Sequence, residues 1–211
     1  MALESAKSLL AVWTDIAPEI EAEFNAWYDT EHIPERLSVP GFLSGLRYVA
    51  VEGEPKYLAL YDLADENVLK SDAYLKLLKP GTPWTRRVSA NFRNMSRGVY
   101  RQIFSHGTRP AAPAPFVLTV RMDIPQQHES EFNEWYNSDH LPALVGVPGV
   151  YCARRYVAVE GEPKYLALYE LRDAEVRKSD AWKKAADSDW TLRMRPHFRA
   201  VRSIVSRRIA Q

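Results

Sequence analysis

Hydrophobic and polar positions alternate from Leu9 to Ile16 and again from Val117 to Ile124, and both runs are rich in β-formers. That period of two predicts a strand in each place. From Pro18 to Glu31 the period changes: Ile20, Phe24, Trp27 and Tyr28 recur at helical spacing behind Asp15. The stretch from His128 to Asp139 does the same with Phe132, Trp135 and Tyr136. Pro34 and Pro142 are expected to end these helices, because proline disfavours helical geometry in the residue before it. Phe42 to Glu52 and Lys56 to Leu63 flank Gly53-Glu54-Pro55 and predict a hairpin. A second helix is expected from Glu66 to Leu78, and another from Ala174 to Ala186. Thr82-Pro83-Trp84 supplies a cap and a first-turn proline for a helical stretch reaching about Met95. Closing strands are expected at Arg97 to Phe104 and Val201 to Ile209.

The order is β-α-β-β-α-β, read twice, and the repeat is literal. Arg47 to Tyr61 reads RYVAVEGEPKYLALY, and Arg155 to Tyr169 repeats it letter for letter at an offset of 108 residues. Glu23-Phe24-Asn25, Trp27-Tyr28, His32 and Pro34 return as Glu131-Phe132-Asn133, Trp135-Tyr136, His140 and Pro142. Trp84-Thr85-x-Arg87 returns as Trp190-Thr191-x-Arg193 after a two-residue deletion. The expected architecture is therefore α+β: two tandem ferredoxin-like units, residues 1–104 and 116–211, joined by a proline-rich, solvent-exposed linker at 105–115. Each four-stranded sheet leaves one face bare of its own helices. Two such faces enclosing each other make an intrachain α/β barrel. Strand alternation places Tyr57 and Tyr61, with Tyr165 and Tyr169, on the barrel side, and Leu58 and Leu60 toward the helices. Those tyrosines then either line a ligand cavity or fill the barrel and bond one another.

Bulk properties remove several classes. Net charge is +1 over 211 residues, which leaves no electrostatic footprint for nucleic acid or an anionic membrane. No apolar run approaches a membrane span and no signal peptide is read. The single cysteine, Cys152, excludes an internal disulfide, reads as a small buried side chain, and suits a reducing cytoplasm. The fused halves are expected to act as a pseudo-dimeric monomer, with further homodimerisation open.

The string Phe24-x-x-Trp27-Tyr28-x-x-x-His32-x-Pro34, followed by Val39-Pro40-Gly41 and Arg47-Tyr48, resembles the EthD-like branch of the dimeric α/β-barrel superfamily. The helix-end His-x-Pro is its most specific element. The resemblance implies a fused dimer of a fold that hosts cofactor-free monooxygenases, cyclases, isomerases and haem enzymes, so the chemistry must come from the site.

His32 and His140 are the first catalytic candidates. They lie at the end of an aromatic helix face, where a helix C-terminus would favour the protonated ring; each either moves protons or caps the turn. Tyr48 and Tyr156 are candidates to hold a substrate oxygen across the cavity. Trp13 and Arg121 occupy equivalent positions and are expected inside the barrel, where Arg121 needs an anion, either Asp15 or Asp123 or a ligand carboxylate. His197, flanked by Arg193, Arg195 and Arg199, is a candidate haem ligand or a surface histidine. No metal-ligand spacing or phosphate loop appears. The expectation is a cofactor-independent enzyme doing lyase, isomerase or dehydratase chemistry on a small aromatic or carbonyl compound. The alternatives are a haem or cofactor-free oxygenase and a non-catalytic binding protein.

Overall fold

A computed structural model describes residues 6–209. Each half runs strand, helices, hairpin, helices, strand. The strands of the first half are β1 (Ser8–Ile16), β2 (Leu46–Glu52), β3 (Tyr57–Leu63) and β4 (Phe92–Gly107); those of the second are β5 (Phe116–Asp123), β6 (Val150–Glu160), β7 (Tyr165–Leu171) and β8 (Arg199–Arg208). They close into one barrel in the order β1-β3-β2-β8-β5-β7-β6-β4. Closure comes from two antiparallel seams between the halves. In one, β2 pairs β8, with Tyr48 opposite Arg208; in the other, β4 pairs β6, with Gly107 opposite Cys152. The edge that each half would expose is thereby paired.

The outer layer consists of α1 (Glu21–Trp27), α2 (Ile33–Leu37), α3 (Asp72–Leu78) and α4 (Pro83–Ser89) in the first half. The second half supplies α5 (Glu129–Trp135), α6 (Leu141–Val145), α7 (Asp180–Ala186) and α8 (Asp189–Met194). Thr82 caps α4 through its hydroxyl, as the sequence predicts. The structure corrects three helix ends. Pro34 and Pro142 do not stop their helices: a π-turn at Tyr28–His32, and its copy at Tyr136–His140, shifts the hydrogen-bond register by one residue, so that the Ile33 amide reaches back to the Tyr28 carbonyl. The missing proline amide then falls at the first turn of α2 or α6, where it is tolerated. The helix after Thr82 stops at Ser89, and strand starts at Phe92.

The sidedness of the hairpins is also the reverse of the expectation. Leu58, Leu60, Leu166 and Leu168 fill the barrel with Leu9, Ala11, Trp13, Tyr48, Tyr100, Val117, Tyr156 and Ile204. Tyr57, Tyr61, Tyr165 and Tyr169 face the helices. The phenols explain this. Tyr57 donates to Glu21, and its oxygen accepts from Asn25 at 3.4 Å; Tyr165 accepts from Asn133 at 3.3 Å. The helices supply these partners to Tyr57 and Tyr165, while Tyr48, Tyr100 and Tyr156 lie inside the barrel.

The linker is not simply exposed. Arg109 reaches into the barrel end, where Arg109 and Arg154 together bridge Asp62 and Glu170 at 2.7–3.0 Å, and Ala114 is buried. Burial alone would raise the Asp62 pKa, but Arg154 and Arg109 more than offset it and the net shift is downward. Cys152 is buried beside this network, and burial pushes its thiol up to about 12.

Each hairpin tip seats on the last strand of the other half. A Cβ on Gly53 would lie 2.8 Å from the Ser203 carbonyl oxygen; one on Gly161 would lie 2.5 Å from that of Arg97. Both glycines also take positive φ. Gly161→Ala is therefore expected to destabilise the protein by roughly 1–3 kcal/mol, read from the midpoint of urea unfolding.

Candidate functional site

The space between sheet and helices in the second half holds a cavity of about 210 Å3. Its apolar wall is Leu118, Val120, Met122, Leu144, Trp182 and Phe198, and its polar groups are His140, Tyr136, Tyr169, Thr191, Arg177 and Arg195. Leu118 and Val120 come from the outward positions of β5, which alternate with the inward Val117 and Arg121. His140 ends the π-turn, which rotates it onto the same side as Trp135 and Tyr136. Its ring lies 4.5 Å from the Trp135 ring and 5.1 Å from that of Tyr136. Its Nδ1 is 3.4 Å from the Thr191 hydroxyl, which also accepts from the Trp135 indole at 3.1 Å. Ser188 connects Thr191 to Asp139, donating to the carboxylate at 2.6 Å. The Tyr169 hydroxyl donates to that of Tyr136 at 3.4 Å, and the Arg155 guanidinium lies 4.3 Å from the Tyr136 ring centre.

His140 is neutral at pH 7. Burial lowers its pKa to about 4; Asp139 pulls upward but does not compensate. His32 is enclosed more tightly, 4.2 Å from Trp27 with its Nδ1 buried and unpartnered, and its pKa falls to about 3, again through burial. The protonated ring expected at a helix end is thus corrected: the helix continues past both histidines, so no free carbonyls meet the imidazole, and desolvation dominates.

The other sequence candidates separate by face. Tyr61 and Tyr169 share the outer face with the histidines, and Tyr57 and Tyr165 lie further along it. Tyr48 and Tyr156 are inside the barrel, beyond the sheet from His32 and His140, and burial raises both phenols. They do not sit opposite the histidines. Trp13 and Arg121 are inside the barrel, as expected, and meet face to face at 3.6 Å. Asp15 and Asp123 do not pair with Arg121; their carboxylates accept from the Lys56 and Lys164 backbone amides. His197 stacks on His128 at 3.7 Å and is absent from the His140 cavity lining, so the position does not suit an axial haem ligand there.

Sequence reasoning missed Thr191, Ser188 and Arg155. Thr191 and Arg155 both belonged to repeated strings and carried that signal. Asp139, the residue before His140, anchors the Ser188–Thr191 pair. The two halves also differ where it matters for charge. Arg47 pairs with Asp29 at 2.9 Å, whereas Arg155 has only the neutral Asn137 and Asn133 amide oxygens at 2.6 and 2.9 Å. Leu69 and Leu78 are replaced by Arg177 and Ala186.

No family model and no curated protein matches the chain. Solved structures match its fold. An anthrone oxidase-like protein is 13% identical, with TM-score 0.69 over all of this chain and 94% of its own. A monooxygenase-like protein from Fusobacterium nucleatum is 11% identical, with TM-score 0.63 over 97% of this chain and 94% of its own. A chlorite dismutase variant from Candidatus Nitrospira defluvii, solved with cyanide, is 9% identical, with TM-score 0.64 over 98% of this chain and 92% of its own. The chain has the dimeric α/β-barrel fold, with both halves on one polypeptide. Among the described residues no helix is long and apolar enough to cross a membrane.

Histidines held neutral in the native state make stability depend on acid. Between about pH 6.5 and about 4 the unfolded chain binds a proton at His140 that the folded chain does not, so stability falls as pH drops through that window. His140→Asn, which can keep the Thr191 contact, is expected to flatten that fall relative to wild type in chemical denaturation at pH 7, 6 and 5.

Proposed function

We propose that the chain is a cofactor-independent enzyme that takes a proton from a small, flat carbonyl or phenolic compound held in the His140 cavity. The observation that carries this reading is a neutral imidazole lining an apolar cavity beside a buried cation without a carboxylate partner. With Nδ1 turned to Thr191, Nε2 is the atom free to accept the proton. The electron pair left behind moves onto the substrate oxygen. Tyr136, whose hydroxyl accepts from Tyr169, can donate to that oxygen, and Arg155 behind Tyr136 favours its negative charge. Arg177 and Arg195 add positive charge at the wall, although each is partnered, by Glu52 and Asp187. His32, enclosed by Trp27, Tyr28 and Tyr61, is the structural counterpart in this reading.

An enolate or phenolate so formed is the common intermediate of isomerase- or lyase-type chemistry and of cofactor-free oxygenation. The second course is favoured by fold neighbours that carry oxidase and monooxygenase names. Haem chemistry finds less support, because His197 stacks on His128 and does not line the His140 cavity.

Anthrone is a suitable probe, since its methylene proton is acidic and its exchange is visible by NMR. Wild type is expected to accelerate deuterium exchange, and His140→Asn to lose about 10²–10⁴-fold of that acceleration while keeping its circular dichroism. Oxygen uptake with exchange marks oxygenation; exchange alone marks isomerase-type chemistry. Exchange undiminished in His140→Asn would remove His140 from the mechanism, and binding without exchange would leave a binding protein. Separately, Ala186→Leu restores the residue of the first half and narrows the cavity. It is expected to abolish the rise in melting temperature that the probe gives wild type.

A further inference from the structure

A second site lies on the opposite face of the sheet, at the mouth of the barrel. Arg121 is 1% exposed, and among the described residues no carboxylate pairs with it. Its Nη1 donates to the Ser96 hydroxyl at 2.8 Å, and its Nη2 is buried without a partner. Beside it the indole Nε1 of Trp13, on which the guanidinium stacks, is buried without a partner, and the hydroxyl of Tyr100, edge-on to the Trp13 ring, approaches the guanidinium without a well-formed hydrogen bond. A fully desolvated guanidinium with idle donors is costly unless an anion meets it. Packing alone does not account for the arrangement, because the same side chain length in an apolar residue would fill the space without that cost.

Ser96 also lines an open cavity of about 660 Å3, together with Arg202, Asn94, Met95 and Asp15. Arg202 lies opposite Arg121 on the neighbouring strand, on the same side of the sheet, and is exposed. The two acids at this mouth do not neutralise Arg121. Asp15 is engaged by the Lys56 amide and the Asn94 side chain, and Glu54 sits on the hairpin tip.

We propose that this mouth is a binding site for a small organic carboxylate, whose charged end reaches past Ser96 to Arg121 and whose remainder occupies the cavity under Arg202. Ser96 is the link between the cavity and Arg121, and behind it lie one buried cation with a planar donor edge and the Trp13 and Tyr100 rings, which suit a planar monoanion better than a multiply charged phosphate. Ser203 lines both this cavity and that of His140, whereas Arg121, Ser96 and Arg202 are absent from the His140 cavity lining.

The test is titration of the full-length protein with benzoate, followed by calorimetry and thermal unfolding, against sodium chloride at matched ionic strength. Benzoate is expected to bind saturably and to raise the melting temperature beyond chloride. Arg121→Leu is expected to remove that binding while remaining at least as stable as wild type without ligand, since it also removes the lone buried charge. Ser96→Ala and Arg202→Gln, both conservative for folding, are expected to weaken benzoate by about 10- to 100-fold and several-fold respectively. The proposal fails if benzoate does no more than chloride, or if its effect survives in Arg121→Leu. It also fails if the effect is lost in Ala186→Leu and kept in Arg121→Leu, which would place benzoate in the His140 cavity. Phosphate matching benzoate in affinity would overturn the assignment to a carboxylate.

Discussion

The structure depends on the two seams that close the barrel. Neither half is complete alone, because β2 and β4 of the first and β6 and β8 of the second would present unpaired amides and carbonyls. Closing them at once buries the faces that the helices do not cover and creates a shared interior. The fifteen-residue string repeated without change supplies most of β3 and β7, nearly all of β2, the C-terminal half of β6, and both hairpin tips. Its tip glycine fits against a carbonyl of the other half, at Ser203 for one copy and Arg97 for the other. A segment that contacts its own half along one edge and the other half along the next is constrained from both sides. That double duty offers a physical reason for the identity of the two copies here.

The seams also divide the chemistry. Outward positions of the strands meet helices and hold His32 and His140 among tyrosines and tryptophans; inward positions form a packed core closed at one end by Asp62, Glu170, Arg154 and Arg109. A one-residue step along any strand moves a side chain from one environment to the other. Tyr156 and Arg155 are neighbours in sequence, yet one is barrel core and the other stacks on Tyr136 beneath the helices.

Much of this was legible in the sequence. The duplication, the element order and the barrel followed from repeat and period. Trp13 and Arg121 were placed inside from the alternation of β1 and β5. The sidedness of the hairpins was not legible, because Tyr-Leu-Ala-Leu-Tyr is apolar on both faces, and period alone cannot say which faces inward. What decides it is the reach of phenols to Glu21, Asn25 and Asn133 on the helices, a tertiary fact. The π-turn was hidden for a similar reason: proline signals a break in register, and a helix can absorb that break by lengthening one hydrogen-bonded ring instead of stopping. The histidine environment followed from that error, since a ring at a helix end and a ring in mid-helix titrate in opposite directions.

Fusion permits something a homodimer cannot. On a twofold axis, equivalent residues meet, and in a homodimer they are identical. Here Trp13 meets Arg121, its own equivalent, and Arg154 bridges Asp62 and Glu170, which are equivalents, while Leu46 stands where a second arginine would fall. Two arginines stacked at the first place would repel in a dry interior, and two tryptophans would leave no charge there at all. At the other end Arg109 of the linker is already the second arginine on the pair of acids, so one at position 46 would set three cations against two carboxylates. Both ends of the pseudo-axis therefore require unlike copies. The same freedom allows Asn137 opposite Asp29, Arg177 opposite Leu69 and Ala186 opposite Leu78 in the equivalent positions, which makes the second half the cationic one with room beside its histidine. The duplication thus keeps the seams symmetric and lets the sites differ, so one histidine can be enclosed as structure while its copy faces a cavity.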